Sequence, residues 1–258
     1  MELREWAVHI LSATSLEDKL FAPESLTDHF PGPPLRFDTP SRPSHMQFQR
    51  HTREHKLPPF QEHHHPDKRA ACLHRFAGHE LLAVEVMAQA LLAFPEASKA
   101  FRKGVAHTLK EEQGHVQIYR KRMQEMGLHL GDLPLYRHFW SYVPHLHEPI
   151  QYISVMSLTL EMANLDFAPM YRKSFATAGD LVSASLMNTI LEDEIRHVSF
   201  GLSWLNRWKE KELSSLEAWK KALPEPVKPF RAKGFVVHEE PRRRAGVPQD
   251  WINHLKDL

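Results

Sequence analysis

Apolar residues recur at helical spacing over four long segments in the middle of the chain. The first, about 70–93, aligns Leu73, Phe76, Ala77, Glu80, Ala83, Val84, Met87 and Leu91. The second, about 98–126, aligns Phe101, Val105, Leu109, Glu112, His115, Val116, Tyr119 and Met123. The third, about 149–172, carries Ile150, Ile153, Ser157, Leu158, Glu161, Leu165 and Ala168. The fourth, about 181–209, carries Leu186, Ile190, Glu194, His197, Val198, Gly201, Leu205 and Trp208, with Asp180 placed as its N-cap. Each stripe follows the i, i+3, i+4, i+7 rule of an amphipathic helix. Short connections inside each pair of helices and a long one between the pairs, Gly127 to Glu148, predict two hairpins joined by one crossover.

Proline marks where this regularity stops. Nine of the 19 prolines lie between Pro23 and Pro66, five lie from residue 70 to 210, and five lie beyond. Three regions follow: 1–69, a short helix near residues 2–20 and a Pro/His-rich segment that wraps a surface; 70–210, the helical bundle; and 211–258, an extension ending in a short helix around Trp251, Ile252 and Leu255. Phe30, Phe37, Phe48 and Phe60 favour wrapping over a free linker. The run Arg242-Arg243-Arg244 reads as a solvated turn.

Composition narrows the function classes. Thirty-three basic against 32 acidic residues leave a net charge of +1, which disfavours a long polyanion as partner, although a tRNA substrate stays open. A single cysteine, Cys72, excludes an internal disulfide framework, a Cys-rich zinc site and a rubredoxin centre. No unbroken run of about 18 apolar residues occurs, so no membrane partner is expected. The acidic N-terminus does not resemble a signal peptide, and a cytoplasmic location is the simplest expectation.

Every stripe carries a glutamate near its middle, where an uncompensated carboxylate is costly. The second and fourth helices hold Glu112-Gln-Gly-His115 and Glu194-Ile-Arg-His197, which put Glu and His on one face. The motif alone is weak, since composition predicts about 1.6 matches by chance, and Glu62-x-x-His65 also occurs. Register strengthens it. Glu80 precedes Glu112 by 32 residues and Glu161 precedes Glu194 by 33, so each pair sits at matching depth in its hairpin. Lesser acids repeat too: Glu85 and Asp166 each lie five residues after Glu80 and Glu161. Glu85 falls about 140° round the helix from Glu80, off the stripe. Glu80, Glu112, His115, Glu161, Glu194 and His197 thus match the donor set of two-metal carboxylate bundles. Two divalent cations would neutralise the four carboxylates, and oxygen and imidazole donors suit iron or manganese.

The strings GHELLAVEVMAQALLAFP, FRKGVAHTLKEEQGH, MGLHLGDLP and LEDEIRHVSFG resemble the ferritin-like superfamily. They are closest to an uncharacterised bacterial ferritin-like family defined as a domain of unknown function. The resemblance covers about 70–210. It implies an all-α, ferritin-like four-helix bundle with one long crossover, plus N- and C-terminal extensions. It also implies two iron ions, or manganese or a mixed pair, on those six residues, with Asp193 and Arg196 orienting ligands. Tyr119, one turn after His115, is a candidate hydrogen-bonding neighbour, with a core role as the plainer reading. The function expected is oxidation or hydroxylation of a small organic substrate by O2, with an unidentified electron donor and a homodimer as an open assembly. Metal or peroxide handling, as a ferroxidase or catalase, and an interaction module with a structural metal site are the alternatives.

Overall fold

The computed structural model describes residues 1–50 and 56–258, and its described residues form helices and connecting chain without a β-strand. The chain divides into two compact units, Met1–Val143 and Pro144–Leu258. The boundary falls within the crossover, so each unit holds one long hairpin and one terminal extension.

In the first unit, α1 (Leu3–Ser12) and α2 (Leu16–Lys19) precede the hairpin of α3 (Pro66–Ala93) and α4 (Lys99–Gln124). The N-terminal helix expected over 2–20 is therefore two pieces, broken where Ser15 caps α2 by accepting from the Asp18 amide. Pro66 opens α3 and Ser98 caps α4, so the starts of both helices are written locally.

α3 departs from the amphipathic expectation. From Glu80 to Ala93 every residue is buried, and α1 and the proline-rich segment both pack on α3 in addition to α4. The covering is stitched by polar groups. Gln89 accepts from the Phe37 amide at 2.8 Å and donates to the Leu35 carbonyl at 2.9 Å. Glu85 takes Lys19 at 2.9 Å and Arg42 at 2.6 Å, all three side chains being buried. Arg102 of α4 holds Asp28 through two bonds, at 2.8 and 2.9 Å. Arg42 also lies over the Phe48 ring at 4.1 Å. Phe30 is the exception among the four aromatics, 75% exposed and outside the packed layer. α3 is also long and apolar enough to cross a membrane by length and composition, which counting unbroken apolar runs did not reveal; 89% of that window is buried inside the protein.

In the second unit the third helical segment is α5 (Pro149–Val155), a π-helical stretch (Met156–Glu161) and α6 (Met162–Thr177), packed against α7 (Leu181–Trp208). Asp180 caps α7, accepting from the Ser183 amide at 2.9 Å. The extension forms α8 (Ser215–Ala222), α9 (Glu239–Arg244) and α10 (Gln249–Asp257). Trp219 of α8 and Trp251 of α10 pack with ring centroids 5.0 Å apart, both fully buried. The basic run is not a solvated turn. It lies in α9, and Arg242 is wholly buried, gripping Asp166 of α6 with both terminal nitrogens. Asp166 also accepts from the Gly234 and His238 amides at 2.8 and 2.7 Å. The close approach of Gly234 needs glycine, since a Cβ there would lie 2.8 Å from the Asp166 Cβ.

Candidate metal centre

Each unit buries one copy of the donor pattern. In the first, Glu80 comes from α3, and Glu112 and His115 from one face of α4. They are 5%, 0% and 2% exposed, and each presents a ligand atom within 4.8 Å of the other two. His115 Nδ1 lies 3.1 Å from Glu112 Oε2. In the second, Glu161 ends the π-helical stretch and Glu194 and His197 sit on α7, again 4%, 0% and 1% exposed. Glu161 and His197 offer ligand atoms within 4.8 Å of each other. His197 Nδ1 stands 3.6 Å from Glu194 Oε2.

The π-helical stretch is held from outside the helix. Thr159 donates its hydroxyl to the Ser154 carbonyl, five residues back, at 2.7 Å. The Trp219 indole N–H, brought in by α8, reaches both the Ser154 carbonyl at 3.2 Å and the Thr159 oxygen at 3.1 Å. A π turn leaves carbonyls without their usual i+4 donors, and these side chains serve one of them. On the neighbouring helix Gly201, one turn beyond His197, lets α7 come close; a Cβ there would lie 2.4 Å from the Ser157 Cβ. The third apolar stripe did not reveal this distortion.

Several other predicted residues now have a place. Glu85, off the stripe, belongs to the ion pairs with Lys19 and Arg42 rather than to the donor group. Tyr119 is buried beside Phe76, ring centroids 5.8 Å apart. Asp193 and Arg196 pair with each other along α7, the Arg196 side chain 57% exposed. Of the His-rich stretch His45 to His65, His51 and His55 lie outside the described residues. His63 is buried against Phe60 and 3.5 Å from Cys72 Sγ.

One polar residue escaped the sequence reading. Asn164, one turn after Glu161, donates its amide N–H to Glu194 Oε1 at 2.7 Å. Its counterpart three residues after Glu80 is Ala83, which has nothing to donate.

The donor chemistry fits hard or borderline divalent metals. Carboxylates and imidazoles are supplied from helices, which fix their positions, and no thiolate competes. Burial pushes the Cys72 thiol up to about 12, so it stays protonated at neutral pH.

A family model described as a protein of unknown function (DUF455) matches residues 6–253, so the chain belongs to that family. No curated protein and no solved structure matches it.

Proposed function

We propose that this family member is a non-haem di-metal oxidoreductase of the ferritin-like kind, using O2 to hydroxylate or otherwise oxidise a small organic substrate. In this reading Glu80, Glu112, His115, Glu161, Glu194 and His197 supply the ligands of two metal ions. Iron is the first expectation, and manganese or a mixed pair the second. The observation that carries it is the repetition: each unit buries a helix glutamate beside a Glu-x-x-His pair from the partner helix of its hairpin. Buried carboxylates persist when cations balance them.

When bound and reduced, such a pair supplies the electrons for activating O2. The protein's part is positional. Helical donors set the ligand geometry, and the apolar residues around Glu80 and Glu161 exclude bulk water. Asp193 and Arg196 would tune the ligand helix from its outer side.

The test begins with anaerobic purification, metal counting by mass spectrometry, and optical spectra on adding O2. About two iron or manganese ions per chain, lost in Glu161→Ala and in Glu112→Ala, are expected. Occupancy below about one ion per chain, unaffected by these substitutions, overturns the site. Reduced, fully loaded protein that does not react with O2 overturns the oxidative chemistry and leaves a structural centre.

A further inference from the structure

The segment from Lys228 to His238, between α8 and α9, presents apolar side chains to solvent although it is firmly tied down. Phe235 is 81% exposed and Val236 59%, and Phe230 is exposed as well. The chain dips into the protein at two points only a residue apart. Ala232 is wholly buried, and its carbonyl accepts from Arg242 at 3.1 Å. The Gly234 amide donates to Asp166 at 2.8 Å, and the His238 amide donates to the same carboxylate at 2.7 Å. The short 3₁₀ turn Pro229–Ala232 also packs on the π-helical stretch and on α6. These ties hold Phe235 and Val236 out as a loop with both ends on Asp166, not as a loose linker. Charge is as uneven as polarity. Residues 226–238 contain Lys228, Arg231 and Lys233 and no acid, in a chain whose net charge is +1. Lys228 pairs with Glu225 at 2.9 Å on the surface, where such contacts are weak. Arg231 and Lys233 form no ion pair among the described residues.

We propose that this segment is a membrane-surface contact: Phe235, Val236 and Phe230 enter the headgroup–acyl boundary of an anionic bilayer, while Lys228, Arg231 and Lys233 meet its charged headgroups. Apolar burial and electrostatic attraction add at a lipid interface, and neither suffices alone for a patch this small. Single-stranded nucleic acid would use the same charges, but it stacks its bases on open aromatic faces. Here the Arg231 guanidinium already lies 5.6 Å from the Phe230 centroid, and Phe235 meets Phe167 edge to face. Val236 has no ring to offer. A second copy of the chain would have to bring acids to the cations and apolar area to the phenylalanines in matching positions. An anionic bilayer supplies both without a matched shape. The sequence expectation of no membrane partner came from the want of a spanning run, and a peripheral contact needs none.

The test is sedimentation of the full chain with vesicles of phosphatidylcholine mixed with phosphatidylglycerol, against phosphatidylcholine alone, at low and high salt. Wild type should partition onto the anionic vesicles, release as salt rises, and stay in solution beside the neutral ones. Phe235→Ser should weaken partitioning about 10-fold. Arg231→Gln and Lys233→Gln should weaken it about fivefold each. These are surface changes and should leave the melting temperature unaltered. Insertion is read separately with Val236→Cys carrying an environment-sensitive dye; Cys72 is wholly buried and does not compete for the label. Dye emission should shift to the blue when anionic vesicles are added. No partitioning at low salt, or equal partitioning onto both vesicle types, overturns the proposal. So does partitioning that survives Phe235→Ser and both glutamine variants. Binding of single-stranded DNA in place of vesicles, or self-association abolished by Phe235→Ser without vesicle binding, gives the surface to another partner and overturns it too. None of these readouts depends on metal, so the outcome is separate from that of the di-metal reading.

Discussion

Arg242, Arg243 and Arg244 are neighbours of identical type, and replacing them one at a time by methionine should have very unequal effects. Arg242 is fully buried and shares two bonds with Asp166, also fully buried; it donates as well to the Ala232 carbonyl at 3.1 Å and the His238 carbonyl at 3.0 Å. Methionine keeps much of the stem's volume and removes the charge. Breaking a buried pair from one side costs about 3–5 kcal/mol, since the remaining charge stays buried. Asp166 retains its two backbone donors, from Gly234 and His238, which places the cost nearer the lower figure. About 3 kcal/mol corresponds to a fall in melting temperature of roughly 10 °C for a unit this size. Arg243 pairs with Glu239 on the surface, its side chain 58% exposed. Arg243→Met should change stability by less than about 1 kcal/mol. The assay is thermal and urea unfolding, with hydrogen exchange across residues 230–258 to locate the loosening. A shift of under about 2 °C in Arg242→Met would refute the argument that this ion pair anchors the C-terminal extension.

His74 tests the pH response of the first unit. Burial lowers its pKa to about 4, and its Nε2 accepts from the Gly131 amide at 3.0 Å, which requires the neutral ring. The unfolded chain binds that proton near pH 6.5 and the folded one only near 4, so stability falls as pH drops through this window. His74→Gln keeps an acceptor without the titration; its urea midpoint should fall less steeply between pH 6.5 and 4 than wild type's, and parallel curves would contradict the assignment. Gly201→Ala forces a methyl into the Ser157 Cβ and should cost about 1–3 kcal/mol. Thermal melts and metal counting should both register it, with Ser157→Gly restoring most of the loss in the double variant. Trp219→Phe removes the indole donor to Ser154 and Thr159; a loss of about 1–2 kcal/mol is expected. Faster hydrogen exchange across Met156–Glu161 would accompany it, and unchanged exchange there would remove Trp219 from the support of the π turn.

The four long helices could be read from periodicity because their buried stripes repeat every 3.6 residues and their ends are written locally by Pro66, Ser98, Pro149 and Asp180. What periodicity misses is what covers the other face. α3 is buried all round after Glu80: its off-stripe Glu85 and Gln89 are covered by Lys19 of α2 and by the proline-rich chain, which lie far from them in sequence. The same blindness hid Arg242, whose neighbours Arg243 and Arg244 are exposed. The π turn at Met156–Glu161 leaves little trace in composition, because its support comes from Trp219, 60 residues beyond Thr159. The burial of Glu80, Glu112, His115, Glu161, Glu194 and His197 was legible through their register rather than their type. Asn164 was not, because the repeat that exposed them is broken at that position by Ala83.

The acids five residues beyond Glu80 and Glu161 face different waits during synthesis. Glu85 emerges after Lys19 and Arg42, so its counter-charges already exist when α3 is made. Asp166 is made 76 residues before Arg242, its counter-charge. The N-terminal unit can therefore neutralise its buried acid as soon as α3 is made, whereas the C-terminal unit must wait 76 residues for its counter-charge. A chain stopped short of Arg242 would strand Asp166, so late truncations should be cleared by proteolysis even though they contain both hairpins and all six donors.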